Sequence, residues 1–186
     1  RHLLTFAFKA KTYGLGRVGV IAGTSTAGIP HATSLANDLN IPMIYVRDKP
    51  KGHGLKNQIE GIDAESDLCE RDVLLIEDLI STGGSSVAAV QAIRDANGVC
   101  NHCVSIFTYG LDQATEMFQG ERPYDKAGTK SLETPCEVQS LLTYDVLLEV
   151  AKEIGYLTED QIKLLEEWRQ DPFGWGEKRG FPRVTN

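Results

Sequence analysis

One stretch constrains this chain more than any other: Val73-Leu-Leu-Ile-Glu77-Asp78-Leu79-Ile80-Ser81-Thr82-Gly83-Gly84-Ser85-Ser86. Four apolar residues read as a short buried strand, and two acids stand at its carboxyl end. A loop of hydroxyl residues and glycines follows, then a helical pattern at Val87, Val90, Ile93 and Arg94 that stops at Asn97-Gly98. Successive backbone N–H groups of Ser81 to Ser85 can converge on an anionic oxygen, and a helix N-terminus adds partial positive charge. Gly83 and Gly84 let the backbone approach closely, because no Cβ stands in the way. The two carboxylates suit ribose hydroxyls as hydrogen-bond acceptors, or the shell of a Mg²⁺ ion. Together these features make a site for a sugar phosphate.

The rest of the chain repeats the strand–loop–helix theme. Val18–Ala22 reads as a strand and runs into Gly23-Thr24-Ser25-Thr26-Ala27-Gly28-Ile29-Pro30, a second small-residue loop. A helix follows from about Ile29 to Leu39, with Pro30 in its first turn and Ala32, Leu35, Ala36 and Leu39 on its apolar face. Pro42–Val46 is the next strand. It leads into a segment from Arg47 to Gly61 that is basic, glycine-rich and poor in apolar residues, with the character of a mobile loop. Arg47, Lys51 and His53 suit a diphosphate: arginine grips phosphate in a fork and lysine acts as a point charge. Cys103–Tyr109 reads as another strand. Strands alternating with helices predict an α/β, doubly wound, mostly parallel sheet with flanking helices. Such sheets bind ligands beyond the carboxyl ends of their strands, where every loop named above lies.

Composition narrows the function further. The chain has 186 residues, read as a single domain over 1–186, and its net charge of -7 argues against a nucleic-acid binder. No apolar run is long enough to span a bilayer, so no membrane partner is expected. Cys100-Asn-His-Cys103 has the spacing of half a zinc site, but no second such pair accompanies it. Thiols in a reducing, cytoplasmic setting are the better reading. Gly14-Leu-Gly16-Arg-Val-Gly19 matches a dinucleotide pattern by letters, yet it precedes a strand instead of following one. Residues 1–13 read as the end of a helix, and 111–135 as irregular with a short helix at Met117 and Phe118. Leu141 and Leu142 lead to a helix near Tyr144–Ile154, and Thr158 opens another to about Arg169, with Leu157, Ile162, Leu165 and Trp168 inward.

The central stretch resembles the 5-phosphoribosyl 1-diphosphate (PRPP) motif of the type I phosphoribosyltransferases. With Gly23–Pro30 and the loop Tyr45-Val-Arg47-Asp-Lys-Pro-Lys51-Gly-His53-Gly-Leu-Lys-Asn-Gln-Ile-Glu60-Gly61, the chain is similar to the orotate phosphoribosyltransferases over most of residues 15–110. That resemblance implies the type I fold, with an amino-terminal segment missing before Arg1. It implies transfer of the phosphoribosyl group from PRPP to orotate, with Mg²⁺ as cofactor and no metal ligand assigned to the chain. Carried over by position, Arg47, Lys51 and His53 bind the diphosphate. Glu77, Asp78, Leu79, Ile80, Ser81, Thr82, Gly83, Gly84 and Ser85 bind the ribose and 5′-phosphate, and Ser81 also contacts orotate. Lys51, His53, Glu77 and Asp78 are the expected catalytic residues. A homodimer is implied, with the 47–61 loop completing the neighbouring site. Where many family members carry a lysine in the first loop, this chain has Ala27; Asp48 follows Arg47; and Tyr109-Gly110 stands where some hold orotate with an arginine. Other readings are transfer to a purine or uracil, and a PRPP-sensing regulator without catalysis.

Overall fold

The computed structural model describes residues 2–48, 58–62, 68–125 and 128–182. Its elements run α1 (His2–Thr12), β1 (Val20–Thr24), α2 (Gly28–Leu39), β2 (Met43–Val46), β3 (Ile59–Glu60), β4 (Asp72–Ile80), α3 (Gly84–Asp95), β5 (Val99–Thr108), α4 (Asp112–Gln119), β6 (Glu137–Thr143), α5 (Tyr144–Glu153), α6 (Glu159–Gln170) and α7 (Trp175–Lys178). The six strands form one sheet in the order β3-β2-β1-β4-β5-β6. All neighbouring pairs are parallel except β2 with β3. The expected doubly wound, mostly parallel sheet is present.

Apolar runs form the inner strands because both faces of the sheet are covered. In β4, Val73 and Leu75 join the core shared with Val87, Val90 and Ile93 of α3. Leu74 and Ile76 face the opposite way, into the core that Phe8 of α1 and Ala32 and Leu35 of α2 complete. Val20 and Ala22 split from Ile21 in the same manner along β1. Alternation along each strand therefore feeds two cores, one on each face. α2 stops at Asn40, which takes the left-handed conformation (φ 53°) and returns its N–H to the carbonyls of Ala36 and Asn37. α6 opens with a reciprocal cap between Thr158 and Gln161, and Ile162, Leu165 and Trp168 are half-buried.

Two elements, β4 and β6, depart from the sequence reading. β4 does not stop at Ile76; it continues to Ile80 because β5 pairs with it past the end of β1, through Glu77↔Ser105 and Ile80↔Thr108. Both acids thus lie inside a strand. β6 is an edge strand of half-buried residues, so it carries no buried run to announce it. The pair Cys100 and Cys103 sits in β5 as buried thiols, in keeping with the preferred reading of them. Three residues of β4 (Asp72 to Leu74) oppose four of β5 (Val99 to His102), and this bulge turns both thiols into the same core. The neighbouring Cys136 thiol and burial push Cys100 well up, and burial does the same to Cys103. Among the described residues no cluster of His, Cys, Asp or Glu is arranged to hold a metal, and no helix is long and apolar enough to cross a membrane.

Gly28 shows how tightly α2 is docked. A Cβ there would lie 2.5 Å from the Thr24 hydroxyl and 2.6 Å from the Ile76 carbonyl oxygen, which is fixed backbone of the central strand. Alanine is the better helix former by about 1 kcal/mol, but forcing a methyl into such a space costs about 1–3 kcal/mol. Gly28→Ala should therefore lower the urea midpoint. A midpoint at or above that of the wild type would show that α2 can shift outward without loss.

Candidate active site

The site is assembled where β1, β2 and β4 end at the same edge of the sheet. β1 finishes at Thr24, and the residues 25–27 link it to α2, with a cis peptide between Ser25 and Thr26. The Ser25 N–H donates to the Val46 carbonyl at 2.8 Å, which ties this loop to the end of β2. After β4, Ser81 to Gly83 turn the chain into α3. Gly83 takes a φ of 83°, a conformation that glycine adopts without penalty, and its neighbour Gly84 has the Asp125 carboxylate pressed where a Cβ would be. Neither α2 nor α3 has a side-chain N-cap hydrogen bond among the described residues. Two helix N-termini at the same edge of the sheet, both lacking a capping side chain, suit anionic oxygens.

The two acids of the central stretch part company. Glu77 is 4% exposed. Its Oε1 accepts from the Thr24 hydroxyl at 2.6 Å and the Asp78 N–H at 3.1 Å, and its Oε2 accepts from the Ser86 hydroxyl at 2.9 Å. Asp78 is only half-buried. The Glu77 carboxyl is enclosed by these three donors, and the Asp78 carboxylate is the more accessible of the two. Ser81 and Thr82 are half-buried, Gly83 and Gly84 buried, Leu79 and Ser85 exposed, and Ile80 belongs to the core. Leu79 and Ile80 are strand residues, and any ligand contact through them is through the backbone.

Arg47 follows β2 directly. Its N–H donates to the Gln58 carbonyl at 2.8 Å, and Gln58 returns a side-chain amide to the Arg47 carbonyl at 2.9 Å. Its guanidinium pairs with Glu60 at 3.3 Å, and its buried Nε has no hydrogen-bond partner among the described residues. The foot of the 47–61 loop is thus a β-hairpin stem, with Tyr45 opposite Glu60 and Val46 opposite Ile59. Lys51 and His53 lie outside the described residues. Tyr109 packs edge-on against Phe107 and Trp168, at 5.1 and 5.4 Å between ring centres, beside a cavity of about 520 Å³ that Gly110, Asp112, Asp145 and Arg169 help to line.

The sequence reading did not single out Thr24 or Ser86. Both are hydroxyl residues in otherwise apolar or small-residue surroundings, and both are buried. A buried hydroxyl needs a partner, and that was the available signal; which partner it finds depends on residues 53 and 9 positions away.

The phosphoribosyl transferase domain model matches residues 2–124 of the chain. The orotate phosphoribosyltransferase of Staphylococcus haemolyticus (strain JCSC1435) is 44% identical over 156 residues, covering 84% of this chain and 69% of that protein. The orotate phosphoribosyltransferase of Bacillus subtilis (strain 168) is 47% identical over 154 residues, covering 82% and 63%. This chain belongs to the orotate phosphoribosyltransferase family and spans roughly two-thirds of the length of these relatives. Among solved structures, the Mycobacterium tuberculosis H37Rv orotate phosphoribosyltransferase in complex with Fe(III) dicitrate superposes with a TM-score of 0.59 at 24% identity, over 78% of this chain and 73% of that one. At that identity the likeness concerns the fold.

Burial, with the Asp78 carboxyl beside it, pushes Glu77 up from 4.5 to about 7, against the pull of its three donors. The folded chain therefore holds this proton more tightly than the unfolded chain. Between pH 4.5 and about 7 the unfolded chain releases it first, so the stabilisation present below pH 4.5 is lost as pH rises through the window. Glu77→Gln should remove that slope. Urea unfolding across the window should show the wild type losing stability relative to the variant; parallel curves would mean that Glu77 titrates as in the unfolded chain.

Proposed function

We propose that this chain transfers the 5-phosphoribosyl group from PRPP to orotate, giving orotidine 5′-monophosphate and diphosphate in pyrimidine synthesis. The observation that carries the reading is the pair of uncapped helix N-termini, α2 and α3, flanking β4 with Asp78 at its end. Two such N-termini at one edge of the sheet suit a ligand that carries more than one phosphate group, and the family membership supports orotate as the base. In this reading Ser81 to Ser85 bind the 5′-phosphate and ribose through backbone N–H groups and hydroxyls. Asp78 accepts from the ribose hydroxyls and faces the positive charge that develops as the C1′–O bond to diphosphate breaks. Arg47, Lys51 and His53 receive the negative charge that builds on the departing diphosphate, where fixed cations are worth most. Ser81 also contacts orotate.

Mg²⁺ fits this site as a passenger on the substrate. The described residues present hard oxygen donors and no cluster able to hold a metal by themselves. Asp78 would face the ion, which would supply neutralisation of the diphosphate charge. A cytoplasmic homodimer, with the 47–61 segment completing the neighbouring site, is the assembly we expect from the family resemblance.

The test follows orotate absorbance with PRPP and Mg²⁺, with adenine, hypoxanthine and uracil as competing bases. Loss of the orotate signal only in the presence of PRPP is the expected result; consumption of another base instead would overturn it. Lys51→Ala and Asp78→Asn should each lower turnover at least about a hundredfold, as removal of a fixed charge from a developing one does, with little change in melting temperature. Near-normal turnover in either folded variant would remove that residue from the machinery.

A further inference from the structure

Glu77 stands on three elements at once. Thr24 is the last residue of β1, immediately before the first loop, and Ser86 lies in the first turn of α3, immediately after the second. Their hydroxyls occupy different oxygens of the one carboxyl group that β4 sends between them. Thr24, Glu77 and Ser86 are 7%, 4% and 1% exposed, so water does not compete for these bonds. No ion pair among the described residues includes Glu77. The titratable groups that act on it are the Asp78 carboxyl and, on the neighbouring strand β5, the Cys103 thiol, and neither is a cation. Burying a carboxyl without a cation is costly, and an apolar side chain would fill the same space between β1 and α3 more cheaply. Such a group is a poor way to gain stability. It is a good way to fix distances, because each bond has a narrow range of length and angle.

We propose that Thr24 and Ser86 are positioning residues: through Glu77 they lock the 25–27 loop and the 81–83 loop with the start of α3 at one spacing, matched to the two phosphate-bearing ends of the sugar-phosphate substrate. This rests on the phosphoribosyl-transfer reading above. The link is mechanical. The first loop hangs directly on Thr24, whose hydroxyl also lies 3.4 Å from the Ile76 carbonyl oxygen on β4. The second loop is held between β4 and the helix turn that Ser86 anchors. Without the clamp each loop keeps its own fold, but the distance between them widens its range. A ligand that must engage both then binds less well, as it does whenever a preorganised pair of sites is loosened.

The test compares Thr24→Val, Thr24→Ser and Ser86→Ala, separately and with Thr24→Val and Ser86→Ala combined. A hydrogen bond to a carboxylate is worth enough that its loss changes affinity about tenfold. Thr24→Val and Ser86→Ala should each raise the KM for PRPP by about that factor, with the KM for orotate unchanged and circular dichroism intact. Thr24→Ser, which keeps the hydroxyl, should stay within about threefold of wild type. The combined variant should lose less than the product of the single losses, because both act through one carboxyl group. An unchanged KM for PRPP in both single variants, equal impairment in Thr24→Ser and Thr24→Val, or fully multiplicative losses would each overturn the proposal. If Thr24→Val fails to fold, Ser86→Ala alone carries the same decision. PRPP binding to each variant by calorimetry, without any base, separates the two readings. A wild type that binds PRPP but consumes no orotate overturns the base assignment and leaves the clamp to be judged by the binding constants. A wild type that binds no PRPP overturns both.

Discussion

The site depends on the pairing of β4 with β5 beyond the point where β1 ends. Glu77↔Ser105 and Ile80↔Thr108 extend the ladder on one side only, and on the other side Thr24 closes β1 beside Glu77. That offset creates a step in the sheet edge. The inner side of the step holds a carboxyl group in a nearly dry pocket, and the outer side presents Asp78 and the turn into α3. Were β1 and β4 to end level, both acids would face solvent and the two loops would have no common anchor.

The electrostatics follow from backbone more than from side chains. The chain carries a net charge of -7, an unpromising background for a polyanionic substrate. What offsets it locally is the orientation of peptide groups: α2 and α3 both point N-termini at the same edge, each without a capping side chain among the described residues. A carboxyl group sits close behind one of them. Its upward shift to about 7 reports that burial outweighs three hydrogen-bond donors. Stability is given up at the place where geometry has to be exact, a pattern expected of functional sites more than of plain cores.

Much of the architecture was legible because periodicity records burial. The run Val73–Ile76 could only be an inner strand, and Ala32, Leu35 and Ala36 could only be the inward face of a helix. The loops were legible because glycine and hydroxyl residues at a strand's carboxyl end have few other uses. β6 was not, since an edge strand of half-buried residues shows no apolar run. Cys100 and Cys103 were legible as thiols, whereas the bulge in β5 that turns both inward was not. Arg47 was legible as a charge, whereas its pairing with Glu60 across a hairpin stem was not.

The sequence by itself determined the alternation of strands and helices, the two small-residue loops at strand ends and the family to which the chain belongs, because these depend on residue type and local order. Tertiary structure alone decided that the neighbouring acids Glu77 and Asp78 face different worlds, one locked between Thr24 and Ser86 and the other half-open at the edge. Adjacent residues on a strand point to opposite faces, and which face is dry is set by elements distant in the chain.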